Sequence, residues 1–156
     1  MTALFAVVLA GVVAGFASGS GSNVQTVHFL SDRPHITTVD LGPPGKSPGD
    51  LYTIDARLLS TNGRSVIGHL LGTQTDINLQ RAETAQGLLT FTFGTGNQIV
   101  VGGVSACKDC GTGLIAGKSM VRAVLGGTGR YAGARGTLTS KRLSSGRYDQ
   151  VFRLTY

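Results

Sequence analysis

The sequence predicts an all-β domain closed into a single antiparallel barrel of the up-and-down type, and three observations carry that reading. Short runs rich in β-branched and aromatic residues, over 24–30, 36–41, 51–59, 65–79, 88–93, 98–104, 119–125, 136–143 and 149–156, are bounded by Gly, Asn and Asp. No segment reads as a helix by its apolar spacing. The last run, which includes Val151, Phe152 and Leu154, needs a partner strand, and barrel closure supplies one without leaving an exposed edge.

Length and composition fix one domain. With 156 residues the chain holds one sizeable core, and 41% apolar content with 14% charged residues and 24 Gly describes a folded, turn-rich chain. Residues 1–22 read as a signal peptide or membrane anchor followed by a Gly/Ser linker, leaving 23–156 as the barrel domain. The apolar run 3–17 is shorter than a bilayer span and precedes Ser18-Gly19-Ser20-Gly21-Ser22, which suits export and cleavage. The expected location is therefore secreted or extracytoplasmic, with membrane association through 3–17 if the segment is retained. A buried strand or helix is the alternative for this run.

The punctuation between runs specifies turns. Asn62-Gly63 and Gly94-Thr95-Gly96-Asn97 supply the positive-φ positions of tight hairpins. The segment Gly126-Gly127-Thr128-Gly129-Arg130-Tyr131-Ala132-Gly133-Ala134-Arg135-Gly136 has the glycine density of a nucleotide-binding loop. Such a loop must open a helix, however, and Gly133, Gly136 and Thr137-Leu138-Thr139 lead back into a strand. It reads as a glycine-enforced turn between strands.

Cys107 and Cys110 form a C-x-x-C pair flanked by Gly102-Gly103 and Gly111-Thr112-Gly113. A zinc site wants further ligands at matched spacing, and His28, His35 and His69 are scattered singly. A redox site wants the pair to open a helix, which the glycines oppose. The remaining reading is a short disulfide stapling one loop in an oxidising compartment. The net charge is +6, and after Gly117 eight basic residues face a single acid, Asp149. They are spaced singly along strands without Trp, which excludes nucleic acid as the expected partner and reads as solvated strand faces.

The turn GGTGRYAGARG resembles the one shared by plant dirigent proteins and allene oxide cyclases. The likeness continues through Ser47-Pro48-Gly49-Asp50-Leu51, Val66-Ile67-Gly68, the strand from Leu89 to Phe93, and Gln98-Ile99-Val100-Val101-Gly102-Gly103. It covers about residues 24–156 and is nearest to the bacterial proteins with an allene oxide cyclase barrel-like domain. The resemblance implies an eight-stranded barrel, no cofactor, and association of such barrels into a homo-oligomer. It also implies an apolar cavity that folds a flexible unsaturated molecule for ring closure, or, in the dirigent manner, steers a coupling.

Carried across residue by residue, the resemblance departs at key places. The strand cysteine that lines the cyclase cavity aligns with Gln74. The cyclases' acidic residue near the barrel start falls around Ser31-Asp32. Of the two arginines of the dirigent turn, the first is Ala132 and the second is kept as Arg135. Neither plant activity follows from this set.

Strand alternation gives an independent handle. If Gln74 faces the cavity, Gly68, Leu70, Gly72, Asp76 and Asn78 share its face while His69, Leu71, Thr73 and Ile77 point away. Asp76 and Gln74 are then the candidate catalytic pair, Asp76 as a desolvated proton donor or acceptor and Gln74 as a holder of a substrate oxygen. Asn78, Phe91, Phe93, Asp32 and Arg135 are the candidate substrate contacts. A register shifted by one places the polar trio in solvent instead. For Asp50 an ordinary turn-capping role is expected, and His28 with His35 near Asp32 offers an unfixed acid–base pair. The function expected is a cofactor-free cyclase or isomerase acting on a lipid-like or polyketide-like substrate. The alternatives are an exported protein that binds a small apolar ligand without turnover, and a barrel filled by its own side chains.

Overall fold

The computed structural model describes residues 24–78, 83–107 and 109–156; the expected leader at 1–22 lies outside them. Nine strands occur among the described residues: β1 Gln25–Ser31, β2 His35–Val39, β3 Leu51–Leu59, β4 Val66–Asn78, β5 Glu83–Thr92, β6 Gln98–Cys107, β7 Ser119–Thr128, β8 Arg135–Arg142 and β9 Tyr148–Thr155. All pairings are antiparallel, in the order β1-β9-β8-β7-β6-β5-β4-β3-β2, and an additional β1–β3 pairing closes eight strands into a barrel with β2 outside the ring. Closure rests on Leu30 opposite Leu59 and Ser31 opposite Leu58. Beyond that point β1 leaves β3, and β2 takes over the same edge from His35 opposite Asp55 to Val39 opposite Leu51.

The strands run as the alternation dictates. On β3, Tyr52, Ile54, Ala56 and Leu58 point inward, and on β5 Ala85, Leu89 and Phe91 do the same. β5 begins at Glu83 rather than at Leu88, because Glu83 and Ala85 are inward residues of one continuous ladder with β6. The polar composition of that stretch hid the strand from a reading based on apolar runs.

One end of the barrel is packed shut. Phe29, Phe91, Phe93 and Phe152 meet with ring centroids 5.1–5.9 Å apart, mostly edge to face, which is the favoured aromatic geometry. The glycine-rich turn caps this end as a 3₁₀ turn, Gly129–Tyr131. Its Tyr131 ring lies 5.4 Å from Phe93, and the Arg130 amide donates to Asn97 Oδ1. No phosphate-binding helix follows it; β8 does.

The hairpin between β3 and β4 turns at Gly63 with φ of 70°, while Asn62 keeps a negative φ and instead accepts through Oδ1 from Ser60 Oγ and the Arg64 amide. Of that pair only Gly63 meets the expectation of positive φ, whereas in the β5–β6 hairpin Gly94 and Gly96 both do, at 69° and 74°. Gly68 shows a different use of glycine, since a Cβ there would stand 1.9 Å from Thr92 O.

Candidate functional site

The other end of the barrel is polar and hollow. A cavity of about 60 Å³ is lined by Ile54, Leu70 and Leu89 and by the polar side chains of Gln74, Arg122 and Gln150. That volume suits about four water-sized groups. Pro34, Ile36 and Tyr148 are shared with an outer groove of about 470 Å³, so the cavity adjoins the surface where β1 parts from β3. Cys107, Cys110 and Leu114 form part of the cavity wall.

Gln74 and Asp76 both point inward from β4, while Leu71 and Ile77 are exposed, and His69 and Thr73 are exposed with them. The inward face is therefore the one that contains Gln74, and a register shifted by one is excluded. Gln74 reaches the cavity; Asp76, one pleat further on, is not among its lining residues. Asp76 Oδ2 lies 2.8 Å from the Tyr52 hydroxyl, which is also 3.0 Å from Glu83 Oε1.

A phenol has one proton to donate, so it cannot satisfy two ionised carboxylates at once. Glu83 is the committed acceptor. Its Oε1 takes the Cys110 amide at 2.8 Å and its Oε2 takes Lys46 Nζ at 2.7 Å. The bridging arrangement is satisfied when Asp76 carries a proton and donates it to Tyr52, which in turn donates to Glu83. Desolvation, with the Glu83 charge adding, pushes the Asp76 carboxyl above its ordinary value against the opposing Tyr52 hydrogen bond. Asp76 Oδ1 is buried without a partner, a lesser cost for a neutral acid than for a carboxylate. Burial, followed by the bonds to Asp76 and Glu83, pushes the Tyr52 phenol far up, so it stays neutral.

Two donors in the cavity are uncommitted. Gln74 is 8% exposed, and no hydrogen bond to its amide occurs among the described residues. Arg122 is 6% exposed; its Nη2 donates to Ser105 Oγ at 2.6 Å while its Nε has no partner. The neighbouring polar groups satisfy one another: Ser140 Oγ donates to Gln150 Oε1 at 2.6 Å and Gln150 Nε2 donates to Ser31 Oγ at 3.1 Å.

The remaining expected site residues are dispersed. Phe91 and Phe93 belong to the sealed aromatic end and do not line the cavity. Asp32 pairs with Arg57 at 2.6 Å and Arg147 at 3.2 Å outside the cavity. Arg135 is exposed and donates to the adjoining Ala134 carbonyl. Asn78 ends β4, and its side chain lies outside the described set. Asp50 clamps its own turn, accepting from the Ser47 and Leu41 amides at 2.8 and 3.0 Å; these backbone bonds hold its carboxyl below the usual range. His28, His35 and His69 are exposed, and His28 pairs with Asp149 at 2.6 Å rather than with His35.

Cys107 and Cys110 are joined in a disulfide, their Cα atoms 5.2 Å apart. Ligand-type atoms of Asp76, Glu83 and Cys110 lie within 4.8 Å of one another. With its sulfur in the disulfide, Cys110 has no thiolate to offer, and the Glu83 oxygens are already taken by Lys46, Tyr52 and the Cys110 amide.

Three members of this site escape sequence reading. Tyr52 is one aromatic in an alternating strand. Glu83 precedes the apolar run that marked β5. Arg122 corrects the expectation that the C-terminal basic residues are solvated, since it points inward with Val124 while Val121 and Leu125 are exposed. Apolar residues occupy both faces of β7, so the alternation carried no direction there.

No known protein family and no curated protein matches the sequence. Solved structures do resemble the fold. A pyocyanin demethylase superposes with a TM-score of 0.68 at 20% identity, over 83% of this chain and 99% of that one. The Diels-Alderase AbmU from Streptomyces koyangensis gives 0.66 at 21% identity, over 84% of this chain and 63% of that one. A nonspecific heme-binding cyclase of neoabyssomicin biosynthesis gives 0.65 at 21% identity, over 84% and 64%. The chain thus spans a little under two thirds of the latter two. At these identities the likeness is one of fold, a small barrel shared by a demethylase and by cyclases; it does not single out allene oxide cyclase.

Proposed function

We propose that the chain is a cofactor-free cyclase or isomerase that orders a flexible unsaturated molecule in the polar end of its barrel. The carrying observation is the free Gln74 amide, which lines a cavity beside the apolar side chains of Ile54, Leu70 and Leu89 on β3, β4 and β5. The cavity seats the polar end of the molecule, and the adjoining groove past Pro34, Ile36 and Tyr148 holds the rest folded so that reacting ends meet, which removes much of the entropic barrier of ring closure. The amide N–H donates to a substrate carbonyl and draws electron density from the unsaturated system joined to it, an effect strengthened by the dry surroundings.

In this reading Asp76 is a positioning residue: it lies outside the cavity lining, and its bond to Tyr52 at 2.8 Å ties the end of β4 that carries Gln74 to β3. The use of this fold by a Diels-Alderase and a cyclase supports ring closure as the reaction type.

The test is native mass spectrometry of the protein from its own host, followed by turnover of the retained molecule. A retained unsaturated molecule whose conversion slows at least about tenfold in Gln74→Leu and in Asp76→Asn is the expected result. An empty barrel overturns the reading. Retention without conversion selects a second reading, an exported carrier, which the Cys107–Cys110 disulfide favours because such bonds persist in oxidising compartments.

A further inference from the structure

Arg122 is the one feature of the cavity that a neutral, purely apolar occupant leaves unexplained. All eight acidic residues of the chain lie among the described residues, and none pairs with Arg122. Asp32 serves Arg57 and Arg147, Glu83 and Asp109 serve Lys46, and Asp149 serves His28. A guanidinium offers five N–H donors. Among the described residues Ser105 Oγ is its one acceptor and Nε has no partner, and the side chain lines the cavity. Ser31, Ser140 and Gln150, which line the same cavity, bond to one another and not to Arg122.

Burying a cation without a counter-ion opposes folding. Desolvation lowers the guanidinium to about 10, slightly relieved by Tyr148, so the charge persists at neutral pH. The missing negative charge has a place to come from, because Arg122 from β7 and the free Gln74 amide from β4 line the same cavity. We propose that Arg122 anchors an anionic oxygen, carboxylate or enolate, of the molecule bound in the barrel, with Gln74 as its second donor. The inference rests on the cavity reading above and adds the charge of the ligand to it. The anionic head occupies the 60 Å³ cavity, and the rest of the molecule continues past Pro34, Ile36 and Tyr148 into the 470 Å³ groove.

Octanoate and 1-octanol share a chain and differ in headgroup charge, which makes them the probes. Titrated calorimetrically into the full chain at pH 7, octanoate is expected to bind at least about tenfold more tightly than octanol. Arg122→Met is expected to erase that difference and Arg122→Lys to keep part of it. The Met variant, relieved of a buried charge, is also expected to melt above the wild type when no probe is present. Equal binding of the two probes, or discrimination that survives in Arg122→Met, overturns the anion site and leaves the apolar cavity intact. Binding of neither probe overturns both.

Discussion

The Tyr52 hydroxyl and Asp76 Oδ2 lie 2.8 Å apart between neighbouring strands, with Glu83 Oε1 3.0 Å beyond the same hydroxyl. Three acidic groups therefore share fewer protons than their contacts need if all were fully ionised. The consequences are measurable in stability as well as in chemistry.

Asp76 is the first. In the unfolded chain it titrates near 3.8, and burial raises it in the folded chain. Between those two values the folded state holds a proton that the unfolded state has released, so this residue's contribution to stability falls as pH rises, and levels off above the folded value. Asp76→Asn lacks the titration. Its melting temperature relative to wild type is expected to climb from pH 4 to pH 7; a difference that falls over that range contradicts a protonated Asp76.

Tyr52→Phe removes the shared hydroxyl and leaves Asp76 Oδ2 buried without its bond. The expected loss is about 1–3 kcal/mol by urea unfolding at pH 7. A loss below about 0.5 kcal/mol means that the two carboxyls find other partners and that the chain of bonds is dispensable.

The disulfide is the third. It closes a loop of sequence separation 3, for which chain entropy gives on the order of 2 kcal/mol. Cys107→Ala with Cys110→Ala is therefore expected to lower the melting temperature by roughly 4–8 °C. Because the Cys110 amide donates to Glu83, the same double variant is expected to loosen octanoate binding, as read in the calorimetric titration.

Glycine at position 68 carries a steric prediction. A Cβ placed 1.9 Å from Thr92 O forces β4 and β5 apart, so Gly68→Ala is expected to cost about 3 kcal/mol in urea unfolding. Gly94→Ala, with open space around it but φ of 69°, is expected to cost nearer 1 kcal/mol.

Much of this architecture is written locally. The β-branched runs, the glycine turns and the inward face of β4 follow from period-two patterning, which is why Gln74 and Asp76 are legible as a pair. What escaped is what depends on distant strands. Glu83 becomes a partner of Tyr52 only because β5 extends back past its apolar stretch to lie beside β4 and β6. Arg122 is buried only because the barrel closes around it, and nothing in Ser119-Met120-Val121-Arg122 distinguishes its face from the outer one. Likewise Arg135 and Asp32, located through the family turn and strand start, sit on the outside because their backbone positions alternate away from the cavity.

The seam between β1 and β3 has a mechanical meaning. Two residue pairs hold it, extended by the Asp32 amide bonded to the Arg57 carbonyl and by the Asp32–Arg57 ion pair, whereas β1 runs beside β9 for the full span from Gln25 to Ser31. Parting the seam breaks little of the ladder and moves Ser31 and Pro34, both of which line the cavity. Among the described residues this is the shortest pairing of the ring, and one of its two pairs carries Ser31, a residue of the cavity lining.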